Sequence, residues 1–309
     1  MLDGVTVLEL AAVLPGRYAG RILADLGARV VRVVEPAGQE YFQGTDLGRN
    51  LNEGKETVFL DLNDPEQRQS FFNYVSEAQV LLCNFRPERL KKLNIEYKGL
   101  KKYRPDLVCC LISGFGQNSI YGNQGAHDLN FQAMSGLLFG PHFPVSALSG
   151  ALWAVIAVLA GLYQQQKTGE GIFLDIAILA GMLEWSGLIA EQKNVRPTVN
   201  NWIYATKDDG QVAISALERH FWRRFCERLA RPDLLDFYNV PIAADHPAYI
   251  TLVELFASKT RQEWEELLAD ADCCFSSVLP VSEALTSCYL QERRKGWPRT
   301  LAVKLFSEL

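Results

Sequence analysis

An α/β fold, a doubly wound parallel sheet with a second, smaller α+β domain, is predicted by three features of this chain. Short apolar runs alternate with amphipathic helical stretches as far as Glu191, the pattern of buried parallel strands and their crossovers. The first strand–helix–strand unit closes within about 30 residues. Beyond Asn194–Asn201, where Arg196-Pro197 and paired asparagines suggest a linker, the pattern becomes a hairpin followed by helices. At 309 residues the chain is too long for one small core. The expected divisions are a large Rossmann-like domain over 1–193, a linker over 194–202, a small α+β domain over 203–295 and a short tail over 296–309.

Taken in order, Val5–Leu10 reads as an apolar strand interrupted only by Glu9. Pro15 suits the start of the helix that follows, which runs over Arg17–Leu26 and stops at Gly27. Arg29–Val34 is β-branched, as a buried strand would be. Pro36–Lys55 reads as loop, with Arg49 and Lys55 free to reach phosphates. Thr57–Leu60, Val80–Asn84 and Leu107–Ile112 are further strands, with Asp64-Pro65 starting a helix between the first two. Leu129–Phe139 is helical, Pro141–Ser149 a loop, and Gly150–Gln166 a buried helix that leads to a strand at Ile172–Ile176. In the second domain, Ile203–Thr206 and Val212–Ser215 flank the turn at Asp208-Asp209-Gly210. Ala216–Leu229 and Thr260–Ala269 are helices, Cys273–Val278 is a strand, and Val281–Cys288 is a short helix.

Composition narrows the function. Hydrophobic residues at 48% and charged residues at 22% describe an ordinary globular protein. A net charge of -5 gives no attraction to nucleic acid or membranes. Met1–Gly4 runs straight into a strand, so no secretory leader is expected. The uncharged run Ala151–Tyr163 is too short to cross a bilayer. The seven cysteines, Cys83, Cys109, Cys110, Cys226, Cys273, Cys274 and Cys288, form no C-x-x-C pair. They read as reduced core thiols of a cytoplasmic protein, with no metal site. Gly16 and Gly20 do not make a G-x-G-x-x-G fingerprint, so nicotinamide is not expected.

The stretch Leu111–Met134 is where chemistry is expected. A strand end breaks into Ser113-Gly114-Phe115-Gly116-Gln117, and His127 and Asp128 stand at the mouth of a new helix. Open α/β sheets bind ligands at such strand ends. An ordinary connection capped by Asp128 would look the same.

Several segments, in this order and spacing, resemble the family III CoA-transferases (CaiB/BaiF-like), a group that includes α-methylacyl-CoA racemase. They are VLELAAVLPGRYAGRILADLGARVVRVVEP, LNEGKETVFLDL, NFRPERLKKL, LISGFGQNSIYG, GAHDLNFQAMSG, KTGEGIFLDIAI and DCCFSSVLPVSEAL, spanning Leu2 to Cys288. The resemblance implies that coenzyme A, as an acyl-CoA substrate, lies along the carboxyl ends of the sheet. Ala12, Val13 and Leu14 would touch its nucleotide or pantetheine, Asn84, Phe85 and Arg86 would line its channel, and Lys92 would meet phosphate. Cations suit that task because they make charge-assisted bonds to phosphate. It also implies a homodimer, whose interlocking the short tail after Gly296-Trp297-Pro298 puts in question.

Within the family, Gly125–Asn130 and Ala216–Trp222 resemble the racemase branch. There the histidine, here His127, exchanges the proton α to the thioester carbonyl, and Glu218 stands beside it. A histidine can both take and return a proton near neutrality. In both branches an aspartate precedes the buried helix, and matching back from that helix puts Ser146 in its place. No carboxylate occurs from Leu129 to Gln166. A serine hydroxyl is a weak nucleophile without a base. Three readings stand open: racemase-like α-proton transfer, with His142 or Asp128 as the second group; CoA transfer between carboxylic acids; and binding of a CoA thioester without chemistry.

Overall fold

Six parallel strands carry the N-terminal unit, in the order β3-β2-β1-β4-β5-β6. This is the doubly wound arrangement expected from the alternating pattern. The computed structural model describes residues 1–36, 42–117, 119–122, 124–190 and 197–294, in two compact units that divide at Glu191 and Gln192. In the first, β1 (Thr6–Leu10), α1 (Leu14–Asp25), β2 (Arg29–Val34), α2 (Asp46–Asn52), β3 (Lys55–Phe59) and α3 (Pro65–Glu77) follow in turn. Then come β4 (Val80–Cys83), α4 (Pro87–Leu93), α5 (Tyr97–Leu100), β5 (Val108–Ser113), α6 (Asp128–Ser135), α7 (Val145–Thr168), β6 (Ile172–Ala177) and α8 (Ile178–Ala190).

The alternation of side chains along each strand splits the core in two. Leu8, Leu10, Leu81 and Leu111 face α3 and α4 through Phe71, Val75, Leu90 and Leu93. Val7, Val80, Leu82 and Val108 face α1 and α7 through Ala19, Leu23, Ala154 and Val158.

Several expectations are corrected here. Pro36–Lys55 is not all loop: α2 lies in it, capped by Thr45 through the Gly48 N–H, and Lys55 begins β3. Lys55 points inward, away from any phosphate, and Arg49 pairs with Asp46. Helix α7 starts at Val145, so Ser146 sits in its first turn. By length and composition α7 could cross a membrane, and half of its most apolar stretch is buried. It is not buried all round: Leu152, Ile156, Leu159 and Tyr163 form an exposed stripe. Finally, Cys274 and Cys288 are exposed, so only five cysteines are core thiols.

Glu9, the one acid of β1, is fully buried. Its Oε2 accepts from Lys55 Nζ at 2.6 Å, and Arg32 Nε stands 4.0 Å from its other oxygen. Lys55 also donates to the Arg17 carbonyl at 2.8 Å, and Arg17 reaches Asn52 Oδ1 at 2.9 Å. Gly20 makes room for this cluster: a Cβ there would lie 1.8 Å from Glu9 Oε2. Burial pushes the Glu9 carboxyl up and the Lys55 ammonium down from their ordinary pKa values.

The second unit has an antiparallel sheet, β7 (Asn201–Ala205), β8 (Gln211–Ser215) and β9 (Phe275–Ser277), in that order. Helices α9 (Arg219–Arg228), α10 (Pro247–Phe256), α11 (Arg261–Leu268), α12 (Val281–Ala284) and α13 (Cys288–Arg294) complete it, with a 3₁₀ turn at Pro232–Phe237. Trp222, Phe225, Phe256 and Trp264 fill its core. Strand β7 begins inside the stretch expected as linker, and buried Asn200 holds the Ala216 carbonyl at 2.8 Å. The start of that stretch, 194–196, and the tail over 296–309 lie outside the described residues.

Candidate active site

Strand order reverses between β1 and β4, and open α/β sheets hold their ligands at the carboxyl ends of the strands at such a switch point. The turn Ala12-Val13-Leu14 forms one wall. Val13 is extended at the N-cap of α1, and Pro15 follows in the first turn, where no N–H is needed. Asn84 ties this wall to the next: its Oδ1 accepts from the Ala12 N–H at 3.2 Å, and its own N–H donates to the Leu10 carbonyl at 3.3 Å. A Cβ at Gly16 would lie 2.6 Å from the Ala11 Cβ, so glycine lets α1 start hard against the strand end.

Phe85 is half-buried beneath the Arg89 guanidinium, 4.6 Å from its ring centre, and Arg89 is held by Glu35 at 2.6 Å. Arg86, at the N-cap of α4, is exposed and reaches the loop ahead of His127: a Cβ at Gly125 would lie 3.4 Å from it. Lys92 is exposed in the last turn of α4. The structure thus gathers Ala12–Leu14 with Asn84, and Arg86 with the His127 loop. The Cys83 and Cys110 thiols nearby are pushed up to about 12 by burial, which makes them poor nucleophiles.

A groove of about 770 Å³ runs between α3, α4, α5 and β6. Arg68, Lys91, Lys98 and Lys102 give it positive charge, and the stacked rings of Phe72 and Tyr103 give it an apolar wall. Sequence reading passed over it. The signal was present in Lys98-Gly99-Leu100-Lys101-Lys102-Tyr103-Arg104, where cations and an aromatic crowd one short segment.

The loop after β5 is pinned at its start. Gly116 N–H donates to Ser113 Oγ at 2.9 Å, Gln117 N–H donates to Asp175 Oδ2 at 2.8 Å, and Phe115 packs on Phe131 of α6. His127 is exposed at the N-cap of α6, with extended backbone. Its N–H donates to Asn130 Oδ1 at 3.0 Å, and its carbonyl accepts from the Asn130 N–H at 2.9 Å. The α6 macrodipole favours developing negative charge beside it.

Asp128 turns the other way and caps α7. Its Oδ1 accepts from the Ser146 N–H at 2.9 Å, from the Ala147 N–H at 3.0 Å and from the Ser146 hydroxyl. Its Oδ2 accepts from Gln132 Nε2. Pro144, the N-cap residue of α7, offers no side-chain oxygen, so the Asp128 carboxylate, 18 residues before Ser146, does that work. Gln132, 0% exposed, extends the network: its Nε2 donates to the Gly140 and Phe143 carbonyls at 3.1 Å each. Its Oε1 accepts from the Phe139 and Gly140 N–H groups at 2.7 and 3.1 Å. Exposed His142 rides on the loop so held. Glu218 belongs to the second unit, exposed at the N-cap of α9, where its carbonyl accepts from the Phe221 N–H at 3.0 Å.

Comparison with known proteins gives the chain a family. The chain is 29% identical to the human "Alpha-methylacyl-CoA racemase" over 94% of its own length and 81% of the relative's. It is 30% identical to the "Succinyl-CoA:mesaconate CoA-transferase" of Haloarcula hispanica, over 80% of this chain and 69% of that one. A CaiB/BaiF family protein from Brucella suis has the same fold, with a TM-score of 0.81 at 24% identity over 94% of this chain and 87% of that one. The description of CoA-transferase family III matches residues 2–296, and the chain belongs to that family, whose members act on CoA thioesters.

Proposed function

We propose that this protein removes and returns the proton α to the carbonyl of an acyl-CoA thioester, with His127 as the base. One observation carries the reading. His127 stands exposed at the mouth of α6, on a loop pinned to the sheet, while the neighbouring carboxylate of Asp128 is turned into the scaffold. An exposed imidazole at the positive end of a helix suits proton transfer to and from an enolate. In this proposal the pantetheine crosses the switch-point crevice between Ala12–Leu14 and Asn84–Arg86. The phosphates lie toward Lys92 and the basic groove, where Lys91, Lys98 and Lys102 add charge. CoA transfer between carboxylic acids is the weaker alternative. Ser146 occupies the first turn of α7, and its hydroxyl donates to Asp128.

The test is incubation with a 2-methylacyl-CoA in deuterated water, followed by mass spectrometry. One deuterium gained at the α carbon, and lost in His127→Ala, is the expected result. No exchange alongside calorimetric binding of CoA would leave a binding protein, and acyl exchange dependent on added carboxylate would make it a transferase. We propose further that the protein is a homodimer, because the exposed stripe of α7 is apolar along its length. Sedimentation as a monomer at micromolar concentration would refute this.

A further inference from the structure

We infer that the α proton is handled on one face of the thioester only, with Asp128 acting as a positioning residue and His127 alone as acid and base. This rests on the acyl-CoA reading above and names its stereochemical course. A two-sided reaction requires a second titratable group that can gain and lose a proton across from His127. Asp128 is the carboxylate next to His127 in the chain, and both of its oxygens are held by the scaffold. Two main-chain N–H groups of α7 and the Ser146 hydroxyl converge on Oδ1, and the Gln132 amide donates to Oδ2.

Protonating Oδ1 would displace donors from the first turn of α7. Those donors are fixed by the helix backbone and cannot turn to another acceptor. On the other side, Gln132 is fully buried and spans Phe139, Gly140 and Phe143, so it cannot swing away without releasing the loop before α7. Ser146 is 1% exposed, and its hydroxyl proton already points at Asp128. The carboxylate therefore works as a strut: it joins the first turn of α6, which carries His127, to the first turn of α7.

The step balances with one base. A His127 ring nitrogen takes the α proton, and the C–H electron pair moves into the thioester as an enolate. The imidazolium exchanges its proton with solvent, and the enolate recovers a proton on the face it lost one from. Configuration is retained.

The experiment presents each pure epimer of a 2-methylacyl-CoA to the full-length protein in deuterated water. Label and configuration are read by mass spectrometry and chiral chromatography. The expected result is one epimer labelled with retained configuration and the other unlabelled. Label in inverted product, or in both epimers, overturns the inference and leaves the acyl-CoA reading standing. If inversion then disappears in His142→Asn, that histidine is the second base. No label in either epimer overturns the reading itself, and the inference falls with it.

The positioning role has its own readout. Asp128→Asn should slow exchange by roughly 10- to 100-fold through misplacement of His127. It should keep the single ionisation expected of the wild-type pH–rate profile. Loss of a second ionisation would make Asp128 an acid or base and overturn the assignment. Where Asp128→Asn does not fold, Ser146→Ala removes one donor, keeps the carboxylate and is read the same way.

Discussion

Replacing Lys55 with methionine removes one charge of a buried pair while keeping most of the side chain's bulk. In the wild type Lys55 Nζ lies 2.6 Å from Glu9 Oε2, and both side chains are 0% exposed. Breaking such a pair from one side costs about 3–5 kcal/mol, because the remaining charge stays buried. The lower end applies here, since Arg32 still stands 4.0 Å from the other Glu9 oxygen. A loss of about 3 kcal/mol lowers the melting temperature by roughly 6–12 °C for a unit of this size. The sign of the pH dependence follows from Glu9. Burial holds its folded pKa above its unfolded value, so the folded variant binds more protons than the unfolded chain between the two. The variant is then least impaired below about pH 4.3, and its deficit grows as pH rises through the folded pKa. Urea unfolding of wild type and Lys55→Met between pH 4 and 8 reads both effects. Adding Glu9→Gln should recover part of the loss, since a neutral amide has less need of the cation. A deficit below 1 kcal/mol at neutral pH, or one that does not change with pH, would refute the reasoning.

Three further outcomes follow from the same geometry. Gly20→Ala forces a methyl to within 1.8 Å of Glu9 Oε2 and should cost about 3 kcal/mol or more, measured by urea denaturation. Asn84→Ala frees the Ala12 N–H at the crevice and should cost about 1 kcal/mol of stability. It should also weaken CoA binding in calorimetry, whereas unchanged affinity would remove Asn84 from the proposed channel. Lys98→Glu with Lys102→Glu reverses the charge of the basic groove. CoA binding should then fall at least tenfold at low salt, with the difference shrinking as salt rises.

Strand positions were legible because buried parallel strands are written as continuous β-branched runs: Arg29–Val34 was read to the residue, and β1 differs by one. What escaped was pairing over distance. A lone Glu9 in an apolar strand implies a buried cation, but nothing local indicates that it is Lys55, 46 residues on. Likewise, α7 opens after a proline, with no capping side chain of its own. That vacancy signals a cap from elsewhere, and only the fold reveals Asp128. The candidate catalytic histidine could be found from its neighbours in the chain, whereas the role of the residue beside it depended on the start of the next helix. The basic groove was missed for a related reason: its cations come from three helices and a turn, and each looks like an ordinary solvated charge when read singly.

The order β2-β1-β4 has a temporal meaning for a chain made from its N-terminus. Strand β1 leaves the ribosome before β2 and β4, yet it is a central strand that needs a neighbour on each side. Strand β2 arrives soon after, but the Asn84 that completes the crevice lies 72 residues beyond Ala12. At the usual pace of synthesis this leaves roughly 4–14 s in which β1 has one edge bare. During that interval the apolar row Val7, Leu8 and Leu10 is open to any other strand edge, including that of a neighbouring nascent chain. The crevice proposed to hold the substrate is thus also the seam the nascent chain closes late, and a slowed or truncated chain that stops short of β4 would expose the strand most prone to pair with the wrong partner.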